Sequence, residues 1–331
     1  MESRKFHTLL VTGGAGFIGS NFIHFMLKKY PGYKIINLDK LTYAGNLENL
    51  RDIEDSPNYE FVKGDIADRG IVRDIFTGEK INAVINFAAE SHVDRSIEDP
   101  GVFIQTDVYG TFVLLEAVKQ YNCDIFLQIS TDEVYGSIAE GSFKETDPLE
   151  PNSPYSASKA GAEMIVRSFN KTYGTPILIT RTSNNFGPYQ YPEKLIPLFV
   201  TNLIDNKKVP LYGDGMNVRD WIYVTDNCGA LDIVLHKGSI GSIYNIGAKN
   251  EKPNLWITKK LIELVGKDES FIQPVADRLG HDRRYSVDCS RIESELGWRP
   301  GTDFTQALEK TVRWYMDNES WWRPLKQFQE K

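Results

Sequence analysis

The chain has 331 residues, of which 41% are hydrophobic and 25% charged, with a formal net charge of −7. That length suits one large or two medium folded domains, and the acidic balance argues against a nucleic-acid or acidic-membrane partner, no basic run being longer than the pairs at 207–208 or 283–284. No basic start leads into an apolar segment and no apolar run nears the roughly 20 residues that span a bilayer, so no membrane association and a cytoplasmic location are expected.

From residue 6 to about 179, short apolar runs alternate with longer helical patterns. The runs at 7–12, 33–38, 59–62, 83–87, 125–129 and 177–180 are apolar on both faces, which suits parallel strands covered by helices and predicts a doubly wound α/β domain. Between the first run and its helix, Gly13, Gly16 and Gly19 recur every third residue. Glycines there let the backbone turn sharply and approach a pyrophosphate, whose charge the helix N-terminal amides stabilise. The second strand ends at Asp39, where a carboxylate accepts both ribose hydroxyls and repels a 2′-phosphate. NAD is therefore favoured over NADP, with the neighbouring Lys40 pulling the other way. Asp65 and Ile66 follow the third strand, positioned to flank an adenine, although Asp65 would look the same as a helix cap.

The fifth run ends in Ser-Thr-Asp-Glu (130–133). Neighbours on a strand face opposite sides, so Asp132 and Glu133 can serve one small site only if the strand stops near Thr131. Downstream, Ser153 is a helix cap with Pro154 in the first turn. Tyr155 and Lys159 then share one helix face, where an ammonium can lower the phenol from its usual ~10 and make tyrosinate available as a base.

After Arg181 the composition turns Pro-, Tyr- and Gly-rich at 187–194 and 212–217, with helical patterns at 225–236, 255–265 and 303–317. This predicts a smaller, loop-rich domain over 184–331, the first domain covering 1–183 and rejoined by about 219–242. The three cysteines, Cys123, Cys228 and Cys289, lack metal spacing and read as reduced packing residues. Trp321 and Trp322 read as a peripheral packing cluster.

The glycine pattern, Thr131, Tyr155 and Lys159 together resemble the extended short-chain dehydrogenase/reductase family. Longer stretches resemble the nucleoside-diphosphate-glucose 4,6-dehydratases within it, those acting on dTDP-glucose above all. They are Asp-Lys-Leu-Thr-Tyr-Ala-Gly-Asn (39–46), Ala-Ala-Glu-Ser-His-Val-Asp-Arg-Ser (88–96), Ser-Thr-Asp-Glu-Val-Tyr-Gly (130–136), Asn-Asn-Phe-Gly-Pro-Tyr-Gln-Tyr-Pro-Glu-Lys-Leu-Ile-Pro (184–197), Asn-Val-Arg-Asp-Trp-Ile-Tyr-Val (217–224) and Asp-Arg-Leu-Gly-His-Asp-Arg-Arg-Tyr (277–285). Two positions depart from the pattern: Leu279 stands where the family usually has proline, and Ala248 where a second glycine usually follows Asn-Ile-Gly.

The resemblance implies a Rossmann-type fold with a substrate domain, and a catalytic group of Thr131, Asp132, Glu133, Tyr155 and Lys159. It places NAD against the three glycines, Phe17, Ile18, Asp39, Lys40, Leu41, Thr42, Asp65, Ile66, Phe87, Ala88, Ala89, Glu90, Ser91, Thr106 and Asn185, with Tyr155 and Lys159. The sugar nucleotide, dTDP-glucose or alternatively UDP-glucose, would meet Ser91, Thr131, Asn184, Lys194, Leu195, Pro210, Leu211, Tyr212, Arg219, Asn254, Asp277, Arg278 and His281. Oxidation at sugar C4 would use Tyr155. Elimination of water across C5 and C6 would use Glu133 as base and Asp132 as acid, because different environments can push two carboxyl pKa values apart. A 4-epimerase or decarboxylase of the same fold needs the Tyr/Lys pair but not both acids. A homodimer packed through helices near 99–121 and 153–173 is also implied.

Overall fold

The structure, a computed structural model, describes residues 3–278 and 280–327. Seven parallel strands form the central sheet: β1 (Thr8–Thr12), β2 (Lys34–Asp39), β3 (Tyr59–Lys63), β4 (Ala83–Asn86), β5 (Ile125–Thr131), β6 (Ile177–Thr182) and, numbered in chain order, β10 (Ile243–Ile246). Their spatial order is β10-β6-β5-β4-β1-β2-β3. Six of them begin within a residue or two of the apolar runs read from the sequence. The seventh returns from late in the chain and pairs Ile243 with Ile179 on the β6 edge.

The strands are apolar throughout because both faces are covered. Leu9 and Val11 enter one buried cluster while Leu10 enters the other, and on β5 Ile125, Leu127 and Ile129 oppose Phe126 in the same way. The principal helices are α1 (Phe17–Lys29), α2 (Arg69–Gly78), α3 (Pro100–Gln120), α4 (Pro154–Tyr173), α5 (Leu195–Ile204), α6 (Val224–Lys237), α7 (Asn254–Val265) and α8 (Phe304–Asp317). Helix α3 is long and apolar enough to cross a bilayer, yet half of the stretch is buried inside the protein. It widens to a π-helical turn over Ile104–Gly110, which packs on α4.

A third buried cluster joins α5, α7 and α8 around Phe186, Trp221, Leu261, Leu308 and Trp322. It underlies a three-stranded sheet of β7 (Asn184–Phe186), β9 (Val218–Tyr223) and β11 (Glu251–Pro253), and a parallel pair of β8 (Val209–Tyr212) with β12 (Ile272–Val275). Trp322 is core rather than surface, its indole donating to the Tyr315 carbonyl at 2.8 Å. All three cysteines are buried and free.

The sheet order reverses between β1 and β4, so the crevice beyond their C-terminal ends is where an open α/β sheet binds ligands. There Phe87 N donates to Thr12 O at 3.1 Å, bringing the two strand exits side by side.

Candidate active site

One cleft of about 310 Å³ runs from that crevice across the ends of β5 and β6. Its near wall is backbone. Gly13 has φ +68°, and a Cβ on it would lie 2.6 Å from Ala88 N; a Cβ on Gly19 would lie 2.4 Å from the Gly13 carbonyl. Gly14, which the sequence reading passed over, is as tight, 2.3 Å from Asn37 Oδ1. No side chain caps α1, so its first amides face the cleft with Gly16, Phe17 and Ile18. Asp39 is held by two backbone amides, Ala15 N at 2.9 Å and Leu41 N at 2.8 Å, which oppose the upward pull of burial on its carboxyl. Lys40 pairs with Asp65 at 2.8 Å, both lining the cleft. Asp65 also accepts from Ala67 N at 2.8 Å, so it is a turn cap and a cleft residue at once.

The sequence expectation that the strand ends at Thr131 is met. The chain leaves β5 into a 3-10 turn, Asp132–Tyr135, whose first amide pairs with Thr131: Glu133 N donates to Oγ1 at 3.2 Å. Gly136 closes the turn with φ +81°, where a Cβ would sit 2.4 Å from the Glu150 carbonyl. Helix α4 opens on a reciprocal Ser153/Ser156 box with Pro154 in its first turn, which aims Tyr155 and Lys159 back at the end of β5.

Thr131, Asp132, Glu133, Tyr155 and Lys159 all line the cleft. The two carboxyls sit in different fields. Burial raises Asp132 well above the usual carboxylate range, reinforced by the charges of Glu133 and Asp220; its Oδ1 accepts from Thr131 at 3.2 Å and its Oδ2 has no protein partner. Glu133 is also raised by burial, but Arg278, Arg219 and Lys194 oppose the rise. Burial and the charges of Glu133 and Asp107 raise the Tyr155 phenol, a hydrogen bond with Thr131 opposing. The Lys159 ammonium donates to the Ile129 carbonyl at 2.7 Å; burial lowers it, with Asp107 and Glu163 opposing.

Asp107 was not legible as a site residue. It lies in the π-helical turn of α3, accepts from Ser158 Oγ at 2.6 Å and from Glu90 N at 3.1 Å, and burial pushes it up to about 6. A lone acid in an apolar helix was the available signal.

Of the cofactor residues read from the sequence, all but Leu41 line the cleft. Of the sugar-nucleotide residues, Ser91, Thr131, Asn184 and Lys194 line it; Leu195 follows Lys194 into α5. The others lie on β8, on β9, at the start of α7 and in the segment after β12. Arg219 is buried, stacked 4.2 Å over Tyr285 and donating to Asp282 O at 2.9 Å. Arg278 approaches Asp94 at 3.8 Å and keeps a buried Nε with no partner. Pro210, Leu211 and Tyr212 form the β8 edge; His281 packs its ring on Tyr212 and meets Asp277 at 2.6 Å, and Asn254 opens α7. Leu279 lies outside the described residues. Residues the sequence reading missed in the cleft include Gln190, Tyr191 and Glu193, the last accepting from Tyr43 at 3.0 Å.

A family model described as GDP-mannose 4,6 dehydratase matches residues 10–311. The chain belongs to that family. Relatives of this 4,6-dehydratase include a dTDP-glucose 4,6-dehydratase of Streptomyces antibioticus, 50% identical over 96% of this chain and 95% of the relative. Among solved structures, the dTDP-glucose 4,6-dehydratase DesIV of Streptomyces venezuelae, crystallised with NAD, is 51% identical, covers 96% of this chain and 99% of its own, and has a TM-score of 0.94. The UDP-glucose 4-epimerase of Thermotoga maritima reaches 0.87 at 30% identity, covering 94% of this chain and 99% of its own. The fold is thus shared with epimerases, and the dehydratase chemistry has to be sought in side chains.

Proposed function

We propose that this protein is an NAD-dependent dTDP-glucose 4,6-dehydratase, yielding dTDP-4-keto-6-deoxyglucose and water. The observation that carries the reading is the turn after β5, which delivers Asp132 and Glu133 into the same cleft as Thr131, Tyr155 and Lys159. The residues present fit NAD: a tight turn in which Gly13, Gly14 and Gly19 have no room for a Cβ, uncapped α1 amides for the pyrophosphate, and Asp39 held ready for the ribose. Gly13, Gly16, Gly19 and Asp39 would hold NAD, which when bound would supply the hydride acceptor and donor for the reaction.

The chain's own groups divide the proton work. Tyr155, hydrogen-bonded with Thr131, accepts the C4 hydroxyl proton, and the resulting ketone acidifies C5–H. Glu133, faced by three cations, takes that proton; Asp132, whose carboxyl burial raises, gives one to the departing C6 hydroxyl. Glu133 then returns its proton to C5. Overall one proton must pass from Tyr155 to Asp132, and Thr131, hydrogen-bonded with both, links them. Arg219, Arg278 and Lys194 supply the positive field for the diphosphate, a role that fork-shaped guanidinium groups suit.

A homodimer fits the same reading. Val102, Ile104, Met164 and Tyr173 leave 41, 59, 43 and 54% of their surface exposed on two helices packed together, α3 and α4. Ile104→Glu is expected to halve the mass measured by light scattering. The activity is tested by incubating the protein with dTDP-glucose and, separately, UDP-glucose, and identifying products by NMR. The 4-keto-6-deoxy sugar is expected, faster from dTDP-glucose; recovery of the C4 epimer would overturn the reading.

A further inference from the structure

Behind the cleft, lining none of it, lies a buried polar group that the proton transfers do not use. Arg181 on β6 is 1% exposed and Glu163 on α4 is fully buried. The guanidinium Nε donates to both Glu163 oxygens at 3.1 and 3.0 Å, and Nη2 donates to Oε2 at 2.6 Å. The same guanidinium reaches the other way: Nη1 donates to the Tyr135 hydroxyl at 2.6 Å, and Cζ lies 4.6 Å from that ring's centroid. Tyr135 donates onward to Asn245 Oδ1 at 2.8 Å and stacks on Phe143 at 4.9 Å.

The two ends of this group are fastened to the two halves of the chemistry. Tyr155, Lys159 and Glu163 recur every fourth residue and so stand along one face of α4. Tyr135 closes the turn whose first two residues are Asp132 and Glu133. Arg181 lies opposite Ser130 in the β5–β6 register, one residue before Thr131, and so sits between helix and turn. We infer that Arg181 is a positioning residue: it locks the turn bearing Asp132 and Glu133 to the helix bearing Tyr155 and Lys159, keeping the elimination groups in register with the oxidation groups. A buried ion pair is a weak source of net stability, because desolvation cancels much of its attraction. Registry accounts better for this one, since a displacement near 1 Å can cost a reaction on the order of 10²-fold. The inference rests on the dehydratase reading above.

Tyr135→Phe keeps the ring against Phe143 and beneath Arg181 while removing both hydroxyl contacts. The NAD-loaded enzyme is mixed with dTDP-glucose in a single turnover, NADH absorbance is followed, and product is quantified. C4 oxidation is expected within about twofold of the unchanged enzyme while elimination slows about tenfold or more, so that NADH accumulates. Arg181→Lys, whose single ammonium cannot serve both partners, is expected to give the same split. Equal slowing of both phases, or an unchanged ratio in both folded variants, would overturn the clamp. If the unchanged enzyme forms no 4-keto-6-deoxy product, the dehydratase reading fails and the clamp falls with it.

Discussion

The two halves of the cleft hold their ligands by different physics. The cofactor half is built from backbone: Gly13, Gly14 and Gly19 with no room for a Cβ, uncapped helix amides, and one carboxylate fixed by two amides. The side proposed for the sugar nucleotide draws on charged side chains from separate segments: Lys194 lines the cleft, while Arg219 and Arg278 act with it on Glu133 from outside that lining. Shape and dipoles dominate the first, and they tolerate little change of volume. Charge dominates the second, where burial lowers Arg219 and Lys194 and their anionic surroundings oppose that.

Substitutions can sharpen or break this contrast. The largest effects belong where the halves meet: Tyr155→Phe is expected to lower C4 oxidation by roughly 10²–10⁴-fold, whereas Glu133→Gln leaves oxidation measurable and lowers elimination by a similar factor. Rapid-mixing absorbance at the NADH band separates the two, and unchanged dehydration in Glu133→Gln would remove it as the base. Gly13→Val comes next. A side chain at φ +68°, 2.6 Å from Ala88 N, is expected to weaken NAD binding by tenfold or more in calorimetry, leaving the affinity for dTDP alone within about twofold.

Arg219→Met acts on the other half, raising KM for dTDP-glucose about tenfold, the effect of losing one charge-assisted contact, with NAD affinity unchanged. Equal losses of both ligands in either variant would erase the distinction. The smallest effect is on stability. Burial raises the Asp132 carboxyl in the folded state, so its stabilising contribution is complete below the unfolded pKa and is lost as pH rises through the folded one. Asp132→Asn is therefore expected to gain about 1 kcal/mol near pH 8 and nothing near pH 4, read from denaturant midpoints, while abolishing elimination.

Much of this was legible because it is local. Six strands announced themselves as two-faced apolar runs, and the glycines, Asp39, Thr131, the acid pair and the Tyr155/Lys159 spacing lie within single turns of the chain. What was not legible depends on packing between distant segments. Asp107 bonds Ser158 and acts on Lys159 across the packing of α3 on α4, and Glu193 reaches Tyr43 across 150 residues. Arg181 and Glu163 look like ordinary charges on a strand and a helix until the fold buries them together. The Tyr155/Lys159 spacing was legible, but the bond from the Lys159 ammonium to the Ile129 carbonyl, thirty residues away, was not.

The central claim is that one cleft oxidises C4, eliminates water and reduces C6 without releasing the hydride. It is tested most directly by turning over dTDP-[4-²H]glucose and locating the label by NMR. The account predicts a 4-keto-6-deoxy product carrying deuterium at C6, with no net NADH; deuterium retained at C4 of an epimer, or lost to solvent, would contradict it.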